Sequence, residues 1–420
     1  MRSKALSSDS SQISKERIYV ALLAAIQFAH IVDFVVLMPL GPTLMEYFTI
    51  SPKQFATLVS SYSFSAAIAG ICYGVIADRF GRKNLLIFCF LGFIIGTLLC
   101  GLTNDFHILL SARIVAGCFG GVLNGIVFAI VTDLIPFERR GNAMGIVMSA
   151  FSIASILGVP IGLAISDEFG WQKTFWFIAF FSLPILLASI WIFPHLKDHL
   201  REASVKEELL RFFKLLKNMD YFKAYILILI IGTSSFMLIP FLSPYGVKNV
   251  GIDAKDLKYV YLIGGLFTVI TSRMIGRMTD RFGTLRVFII LALVSFLPIY
   301  LYTNAAPMSL FTYLAMSAFF MVIVSGRFIP AMTMVSAVAN KDERGTFMGL
   351  LNSIRAWASA LATLIAGAII VEQDNGKLEN FDLVGYLSMA VTLAAIAFSF
   401  VIYKIVQRKQ IQEIRNEENN

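Results

Sequence analysis

The residues best suited to chemistry are charged side chains inside long apolar stretches. Asp33 is the only acidic residue well inside such a stretch, and Arg113 lies inside another. An ionisable group costs free energy in hydrocarbon, so one that is kept there is a candidate functional residue. A nearby guanidinium favours a carboxylate, whereas loss of solvent favours the protonated acid. We therefore predict that Asp33 binds and releases a proton under the control of Arg113. The alternative is a static ion pair that holds two helices together.

Two further polar residues share a helix face with Asp33. Gln27, His30 and Asp33 are spaced i, i+3, i+6, so a helix would present them as one stripe. His30 could relay protons, because the unperturbed pKa of an imidazole lies near neutrality, or it could be a hydrogen-bonded packing residue. The stretch of Arg113 carries a matching face, formed by Arg113, Gly117, Gly120 and Asn124. We predict that Gln27 and Asn124 contact substrate, and that the glycines allow a helix or a substrate to approach closely.

Two arginines in the second half of the chain have no acidic residue deep in any neighbouring apolar stretch. Arg355 lies about 10 residues into its stretch, roughly 15 Å deep at the rise of a helix. An unpaired guanidinium in a membrane favours an anion, and a carboxylate or phosphate on a substrate would suit it. We therefore predict that Arg355 and Arg327 bind substrate. The alternatives are bonds to backbone carbonyls or pairing across the protein, with Asp33 as one candidate partner.

The stretches that position these residues are long enough to cross a membrane. The 420-residue chain is 57% apolar and 15% charged, with a mean hydropathy of +0.76, which excludes a soluble globule, a disordered chain and a disulfide scaffold. A membrane helix needs roughly 20 apolar residues. Twelve such spans are predicted, at 18–44, 54–77, 84–102, 107–134, 142–166, 172–194, 223–246, 256–279, 285–303, 309–337, 345–371 and 383–404. Asp33 and Arg113 then lie roughly 22 and 21 Å from the same membrane face.

The positions of the basic residues predict the orientation of the chain. If both termini face the cytoplasm, 25 of the 35 Lys and Arg residues fall on that side, six fall on the opposite side and four lie within spans. This bias follows the positive-inside rule. We therefore attribute the formal charge of +8 to membrane topology and to attraction to lipid headgroups, and not to nucleic-acid binding.

The predicted fold class is all-α, with twelve transmembrane helices in two six-helix bundles. The predicted parts are a cytoplasmic tail at 1–17, a bundle at 18–194, a linker at 195–222, a second bundle at 223–404 and a cytoplasmic tail at 405–420. The linker alternates charged with apolar residues, which predicts an amphipathic helix at the cytoplasmic interface.

Two sequence motifs occur once in each half of the chain. The run GVIADRFG at 74–81 matches GRMTDRFG at 276–283, an offset of 202. The run ERRGNAMG at 138–145 matches ERGTFMG at 343–349, an offset of 204 between Arg140 and Arg344. Two motifs at nearly equal offset indicate a duplication. Duplicated bundles with a substrate site between them at the membrane midplane are typical of secondary transporters.

The motif that begins at Gly74 and continues to Lys83 resembles the signature of the major facilitator superfamily. The run RIVAGCFGG at 113–121 resembles the motif of its drug:proton antiporter branch. The run GVPIG at 158–162 resembles the corresponding region of sugar-efflux and multidrug-efflux members, although Val159 separates a glycine and a proline that are adjacent in the usual antiporter motif. The resemblance covers the whole chain and implies two bundles that rock about a central site.

The resemblance also implies a latch where the two bundles meet on the cytoplasmic side. The residues assigned to this gate are Gly74, Asp78, Arg79, Gly81, Arg82, Asp133 and Arg140 in the first half and Asp280, Arg281 and Arg344 in the second. Arg79 and Arg82 would reach Asp133 or Glu138, and these contacts would hold the cytoplasmic side shut until it opens. The alternative is topological anchoring by positive charge alone.

The residues and the resemblance together predict a proton-coupled secondary transporter. It would export a small organic compound, anionic or amphiphilic, in exchange for protons. The alternatives are a proton-coupled importer of an organic anion and a lysolipid flippase. Its partners would be the small-molecule substrate, protons and membrane lipids, and it would work as a monomer in a bacterial inner membrane. The histidines and cysteines have no metal-ligand spacing and the chain has no phosphate-binding glycine loop, so neither enzyme activity nor a cofactor is expected.

Overall fold

The computed structural model describes residues 2–76, 79–194, 196, 214–215, 217–340 and 343–418. Within them, twelve helical stretches are long and apolar enough to cross a membrane, which confirms the predicted number. We number them as spans 1 to 12: Ser14–Val36, Pro52–Gly74, Arg82–Leu102, Phe106–Leu134, Arg139–Phe169, Trp171–Ile192, Met219–Val250, Ala254–Phe282, Thr284–Thr303, Leu310–Ser336, Thr346–Ile369 and Phe381–Gln412. An even number of spans places both chain termini on one side, which we name the terminal side, and the opposite side is the far side.

Seven spans lie within one continuous helix, and five are divided. The continuous helices are Arg2–Val36, Pro52–Ile76, Arg82–Leu102, Phe106–Leu134, Trp171–Ile192, Arg344–Ile369 and Phe381–Glu418. The divided spans are built from Phe137–Ile153, Ala154–Gly158 and Val159–Phe169 (span 5), Met219–Phe236, Ile239–Phe241, Leu242–Tyr245 and Gly246–Val250 (span 7), Ala254–Asp256 and Leu257–Phe282 (span 8), Thr284–Val294 and Phe296–Thr303 (span 9), and Leu310–Gly326 and Phe328–Ser336 (span 10). The far-side connections hold a short helix, Gly41–Phe48, and a hairpin of the strands Val371–Glu372 and Leu378–Glu379.

Span 1 is shorter than predicted, because its helix ends at Val36 rather than continuing to 44. The next four residues form a turn, and the chain then enters the short far-side helix. Pro39 and Pro42 explain the break, since proline has no backbone N–H for the helical hydrogen bond and its ring clashes with the preceding turn. Span 7 breaks at Pro240 and Pro244, which follow the first two prolines by 201 and 202 residues. The duplication therefore extends to these bends.

Spans 7 and 12 are longer than predicted. Span 7 begins at Met219, inside the segment predicted as a linker, and the last helix continues past 404 to Glu418. Most of the linker, namely 195, 197–213 and 216, lies outside the described residues, so its amphipathic helix and the domain boundaries stay predictions. The two halves meet where span 2 packs along span 11 and where span 5 packs against span 8.

Span 4 lies unusually close to span 2 because glycine recurs at every fourth position. A Cβ atom on Gly117 would lie 2.4 Å from the carbonyl oxygen of Tyr62, and one on Gly121 would lie 2.2 Å from that of Ala66. Glycine is the residue that allows two helix backbones to approach this closely. This contact fixes the position of Arg113, one turn before Gly117, relative to spans 1 and 2.

Gly121→Ala is expected to destabilise the protein, because the added methyl group would meet backbone atoms of span 2 that cannot rotate away. Strain of this kind costs about 1–3 kcal/mol of unfolding free energy. The measurement is thermal unfolding of the purified protein in detergent. The matched control is Gly145→Ala in span 5, where an added Cβ would meet no atom within 4 Å. Alanine is the better helix former, so the control should unfold at the same or a higher temperature. Equal unfolding temperatures for the two variants would contradict the close contact.

Candidate functional site

The structure brings Asp33 of span 1 and Arg113 of span 4 into direct contact. Arg113 Nη1 donates to Asp33 Oδ2 at 2.8 Å, and Thr97 Oγ1 of span 3 donates to Asp33 Oδ1 at 3.1 Å. Both charged side chains are 0% exposed. The guanidinium also lies over the ring of Tyr62, 4.5 Å from its centroid, which is the geometry of a cation–π contact. The site is thus a fully enclosed ion pair held by three neighbouring helices.

The polar stripe predicted on span 1 faces span 4 and the centre of the protein. Gln27 Nε2 donates to Asn124 Oδ1 at 2.9 Å, so these two predicted substrate contacts bind each other. The imidazole of His30 is half-buried and lies beside Gly120, with its ring centroid 6.1 Å from that of Tyr62. The stripe therefore extends from the enclosed ion pair to His30, whose side chain is only half-buried.

Arg327 is enclosed in the second bundle. It is 1% exposed, and both of its terminal nitrogens donate to hydroxyl groups. The acceptors are Ser234 (2.6 Å) and Ser235 (2.8 Å) of span 7, Thr392 (2.9 Å) of span 12 and Ser295 (3.3 Å) of span 9. In this conformation the guanidinium therefore binds side chains of its own bundle instead of lining a cavity. The sequence signal for these partners was the adjacent pair of serines in span 7.

Arg355 has the opposite environment. It is exposed on span 11 between Ser353 and Trp357, which contact span 2, and we infer that its open surface lies in a cavity between the halves. It lies within electrostatic range of His30 across the two halves. No described residue accepts a hydrogen bond from it or forms an ion pair with it, and Asp33 is occupied by Arg113. Asn352, one turn earlier on the same helix face, is half-buried and also unpaired; sequence reasoning missed it, although an amide in an apolar span was visible.

The far side of the protein is closed between the two halves. Phe55 and Phe241 pack edge to face with centroids 5.9 Å apart, and Ser60 Oγ of span 2 donates to the carbonyl oxygen of Ala360 in span 11 at 3.0 Å. At the far-side ends of spans 5 and 8, Asp167 and Lys258 form an ion pair at 3.4 Å. One continuous apolar core crosses between the halves at this level.

Among the residues that the structure describes, the two halves are separated on the terminal side. Towards this side the apolar core separates into one cluster confined to the first half and another that belongs almost entirely to the second. The four spans that join the halves carry glycines near their terminal-side ends: Gly74, Gly145, Gly276 and Gly349. A Cβ atom on any of them would meet no described atom within 4 Å. The cavity that contains Arg355 therefore opens towards the terminal side.

The predicted gate residues mostly lie at the surface of that opening. Arg82 Nε and Asp133 Oδ2 form an ion pair at 2.7 Å, which joins spans 3 and 4 of one bundle and does not itself bridge the halves. Arg140 Nη2 donates to the carbonyl oxygen of Thr132 at 2.7 Å. The exposed members are Gly74, Arg79, Asp133, Asp280 and Arg281, and Gly81 is half-buried. Asp78 and the side chain of Arg344 fall outside the part of the chain that the structure describes.

Comparisons with known proteins agree with this architecture. The sequence profile of the Major Facilitator Superfamily matches residues 23–363 and 224–419, and the chain belongs to this family. The MFS-type transporter YceJ of Bacillus subtilis (strain 168) is 25% identical over 349 residues, which are 82% of this chain and 87% of that protein. Multidrug resistance protein 3 of the same organism is 29% identical over 196 residues, which are 46% of this chain and 37% of that protein.

Solved structures of the same fold include two from transporters of different kinds. A bacterial homolog to the human lysosomal transporter Spinster, in an inward-facing and occupied conformation, has a TM-score of 0.72 and 16% identity over 92% of this chain and 96% of that chain. A D-xylose-proton symporter has a TM-score of 0.72 and 16% identity over 90% and 96%. The chain is therefore a major facilitator transporter of small molecules and a multi-pass cell-membrane protein, and members of this family are generally not enzymes.

Proposed function

We propose that this transporter exports a small organic compound in exchange for protons, by alternating access of a central site to the two sides of the membrane. The observation that carries the proposal is the enclosed Asp33–Arg113 pair beside a cavity that opens on one side only. Asp33 is an acidic residue whose carboxyl group can change its charge by binding or releasing a proton, and it is already paired with Arg113. Protonation neutralises Asp33 and breaks its ion pair, so it changes how spans 1 and 4 are held together.

Proton binding is thereby linked to conformation. Arg113 holds the carboxylate form of Asp33 while the two side chains touch, and a movement of span 4 that separates them would leave a charged acid without solvent or partner. Binding a proton removes that penalty. A pair that is broken in one conformation and formed in the other therefore lets the protein bind a proton on one side and release it on the other.

The cavity wall supports an organic substrate with an anionic group. Arg355 and Asn352 present unpaired polar groups from span 11, and the Gln27–Asn124 pair faces them from the first half. Arg355 adds a positive charge that no described acidic residue neutralises, so a carboxylate or phosphate is the group that would bind it best. The likeness to Multidrug resistance protein 3 and the antiporter-like motif of span 4 support export.

A second candidate, the proton-coupled import of an organic anion, is favoured by the charge of the cavity. Protonation of Asp33 leaves Arg113 unneutralised, so it adds positive charge near Arg355 and strengthens the binding of an anion. A proton and an anion that favour each other's binding would be carried in the same direction. A lysolipid remains a candidate among amphiphilic substrates, because it combines a phosphate with an apolar chain.

We also propose that the four unoccupied glycine positions form the contact that closes the terminal side. Spans 2 and 11 already touch from their far-side ends to Gly70 and Ser353, one helix turn from Gly74 and Gly349, and spans 5 and 8 touch along their far-side parts. If the halves rotate about these contacts, Gly74 and Gly349 approach one another, as do Gly145 and Gly276. The arginines and acids of the repeated motifs lie at the rim of the same opening, where they would hold it shut.

Asp33→Asn is expected to abolish proton coupling, because the amide cannot bind or release a proton at neutral pH. The measurement uses proteoliposomes with an internal pH dye and a panel of candidate substrates. The control is Glu372→Gln, which removes a paired carboxylate at the far-side surface. Substrate-dependent proton flux should disappear only in Asp33→Asn, and its sign in the wild type separates exchange from co-transport. Full pH-driven transport by Asp33→Asn would exclude Asp33 as the coupling site.

Arg355→Gln is expected to weaken the binding of anionic substrates by about 10–100-fold, which corresponds to one lost hydrogen bond to a charged group. The affinity for uncharged compounds of similar shape should change little. The control is Arg273→Gln, an exposed arginine near the terminal-side end of span 8. Binding is measured by ligand-induced thermal stabilisation and by competition. Unchanged affinity for every anion that binds the wild type would contradict the role of Arg355.

Gly349→Leu is expected to fold normally and to bind substrate from the terminal side, because the present conformation leaves space for the side chain. It should slow transport by about 5–150-fold, since the leucine would clash only when this side closes. Ala368→Leu, at the exposed far-side end of the same span, is the control. Wild-type transport rates in Gly349→Leu would show that this part of span 11 stays apart from the other half.

A further inference from the structure

A proton that reaches Asp33 must pass through closed protein. The carboxyl group is 0% exposed, whereas His30, one helix turn away, is half-buried. Several polar atoms along the span 1 stripe and around the ion pair have no hydrogen-bond partner among the described residues: Arg113 Nε and Nη2, Tyr62 Oη, His30 Nδ1 and Gln27 Oε1. Buried polar groups nearly always have a partner, and a group of orphaned donors and acceptors in one place is the usual setting of bound water.

The geometry at Gly120 brings two of these side chains together. A Cβ atom on Gly120 would lie 2.3 Å from Tyr62 Oη and 3.0 Å from His30 Nε2. The two polar atoms are therefore no farther apart than the sum of these distances, which one water molecule can bridge. Any larger residue at 120 would push both side chains aside. Because glycine at position 120 has no side chain, the Tyr62 hydroxyl can lie next to the His30 imidazole.

Tyr62 also reaches the ion pair. Its ring lies under the Arg113 guanidinium, and Phe34 packs on the ring of Tyr62 with centroids 5.3 Å apart. Phe93 borders His30 at 6.1 Å between centroids. Apolar rings thus border these polar groups on two sides, and Tyr62 is the side chain that contacts the Arg113 guanidinium with its ring and lies beside His30 with its hydroxyl.

We propose that bound water and the Tyr62 hydroxyl form the proton route between the cavity and Asp33, with its mouth at His30 and Gln27. This proposal rests on the proton coupling proposed above. A proton enters from cavity water, Tyr62 accepts one proton on its oxygen while it donates its own to the next water, and the last water donates to a carboxylate oxygen of Asp33. The Arg113–Asp33 ion pair is lost as the acid forms. The charged groups that face this route are Asp33, Arg113 and Arg355.

Tyr62→Phe tests the route, because it removes one oxygen atom and keeps the ring beneath Arg113. In proteoliposomes, substrate-dependent proton flux should fall by about 10–100-fold, the effect of losing one member of a buried hydrogen-bonded chain. Substrate affinity and substrate–substrate exchange at constant pH should stay at the wild-type level, which a merely structural defect would not allow. The fall in flux should also be accompanied by a changed solvent deuterium isotope effect.

The matched control is Tyr225→Phe, which removes another buried hydroxyl without a partner, in the second bundle. Gly120→Ala is the second test variant, since its methyl group would separate Tyr62 from His30, and it should reproduce the slow flux. If Asp33→Asn abolishes flux while Tyr62→Phe and Gly120→Ala keep the wild-type rate and isotope effect, the route is wrong and the proposed coupling stands. If Asp33→Asn keeps wild-type flux, both the coupling and the route are wrong.

Discussion

A guanidinium group that is enclosed in the membrane interior has no bulk water around it, so the protein must supply its hydrogen-bond acceptors. The two halves solve this problem differently. In the first half, a carboxylate from span 1 accepts from Arg113 of span 4. In the second half, serines of span 7 accept from Arg327 of span 10, the span that occupies the same place in its bundle. The repeat offset of 202 places Ser235 where Asp33 stands, but it places Ala315 where Arg113 stands, so the two arginines are not repeat equivalents and each bundle has its own buried cation.

This difference gives the two bundles different chemistry. A serine hydroxyl neither gains nor loses a proton at neutral pH, so the partners of Arg327 form a fixed polar cage. Asp33 can change its charge and can thereby break its bond to Arg113. In the proposed mechanism the first bundle is therefore the half that responds to protons, and the second contributes permanent positive charge through Arg327 and Arg355. Such a division assigns proton binding and substrate attraction to opposite walls of one cavity.

Run length was sufficient to predict the twelve spans, and helical depth was sufficient to predict that Asp33 and Arg113 lie at the same level, whereas their contact also needed the family resemblance. Both arguments use positions along a helix. Because every span crosses the same membrane thickness, the depth of a residue in one span can be compared with the depth of a residue in another. The same arguments failed at the end of span 1, because hydropathy measures the preference of side chains and not the missing N–H groups of Pro39 and Pro42. A strongly apolar run continued through the break and concealed it.

The environments of Arg327 and Arg355 could not be predicted for a different reason. Both are single arginines in apolar spans, and their spacing alone does not show which face of the helix points inward. The partners of Arg327 come from three other spans, so they become neighbours only when the bundle is packed. Arg355 is left open because the halves separate on the terminal side. The halves are separated there in this conformation, and the sequence pattern does not show which conformation the protein adopts.

The charges in the cavity and the proposed water route together determine whether co-transport or exchange of a proton and an anion is physically consistent. By charge alone, a proton on Asp33 favours an anion on Arg355, which is the linkage of co-transport. Exchange of a proton for an anion therefore needs a contact that makes the two exclude each other. His30 supplies the place for it, because it lies at the mouth of the route and within electrostatic range of Arg355. A substrate bound to Arg355 that covers His30 would displace the water on which proton entry depends. Exchange would then arise from steric exclusion that outweighs the electrostatic attraction.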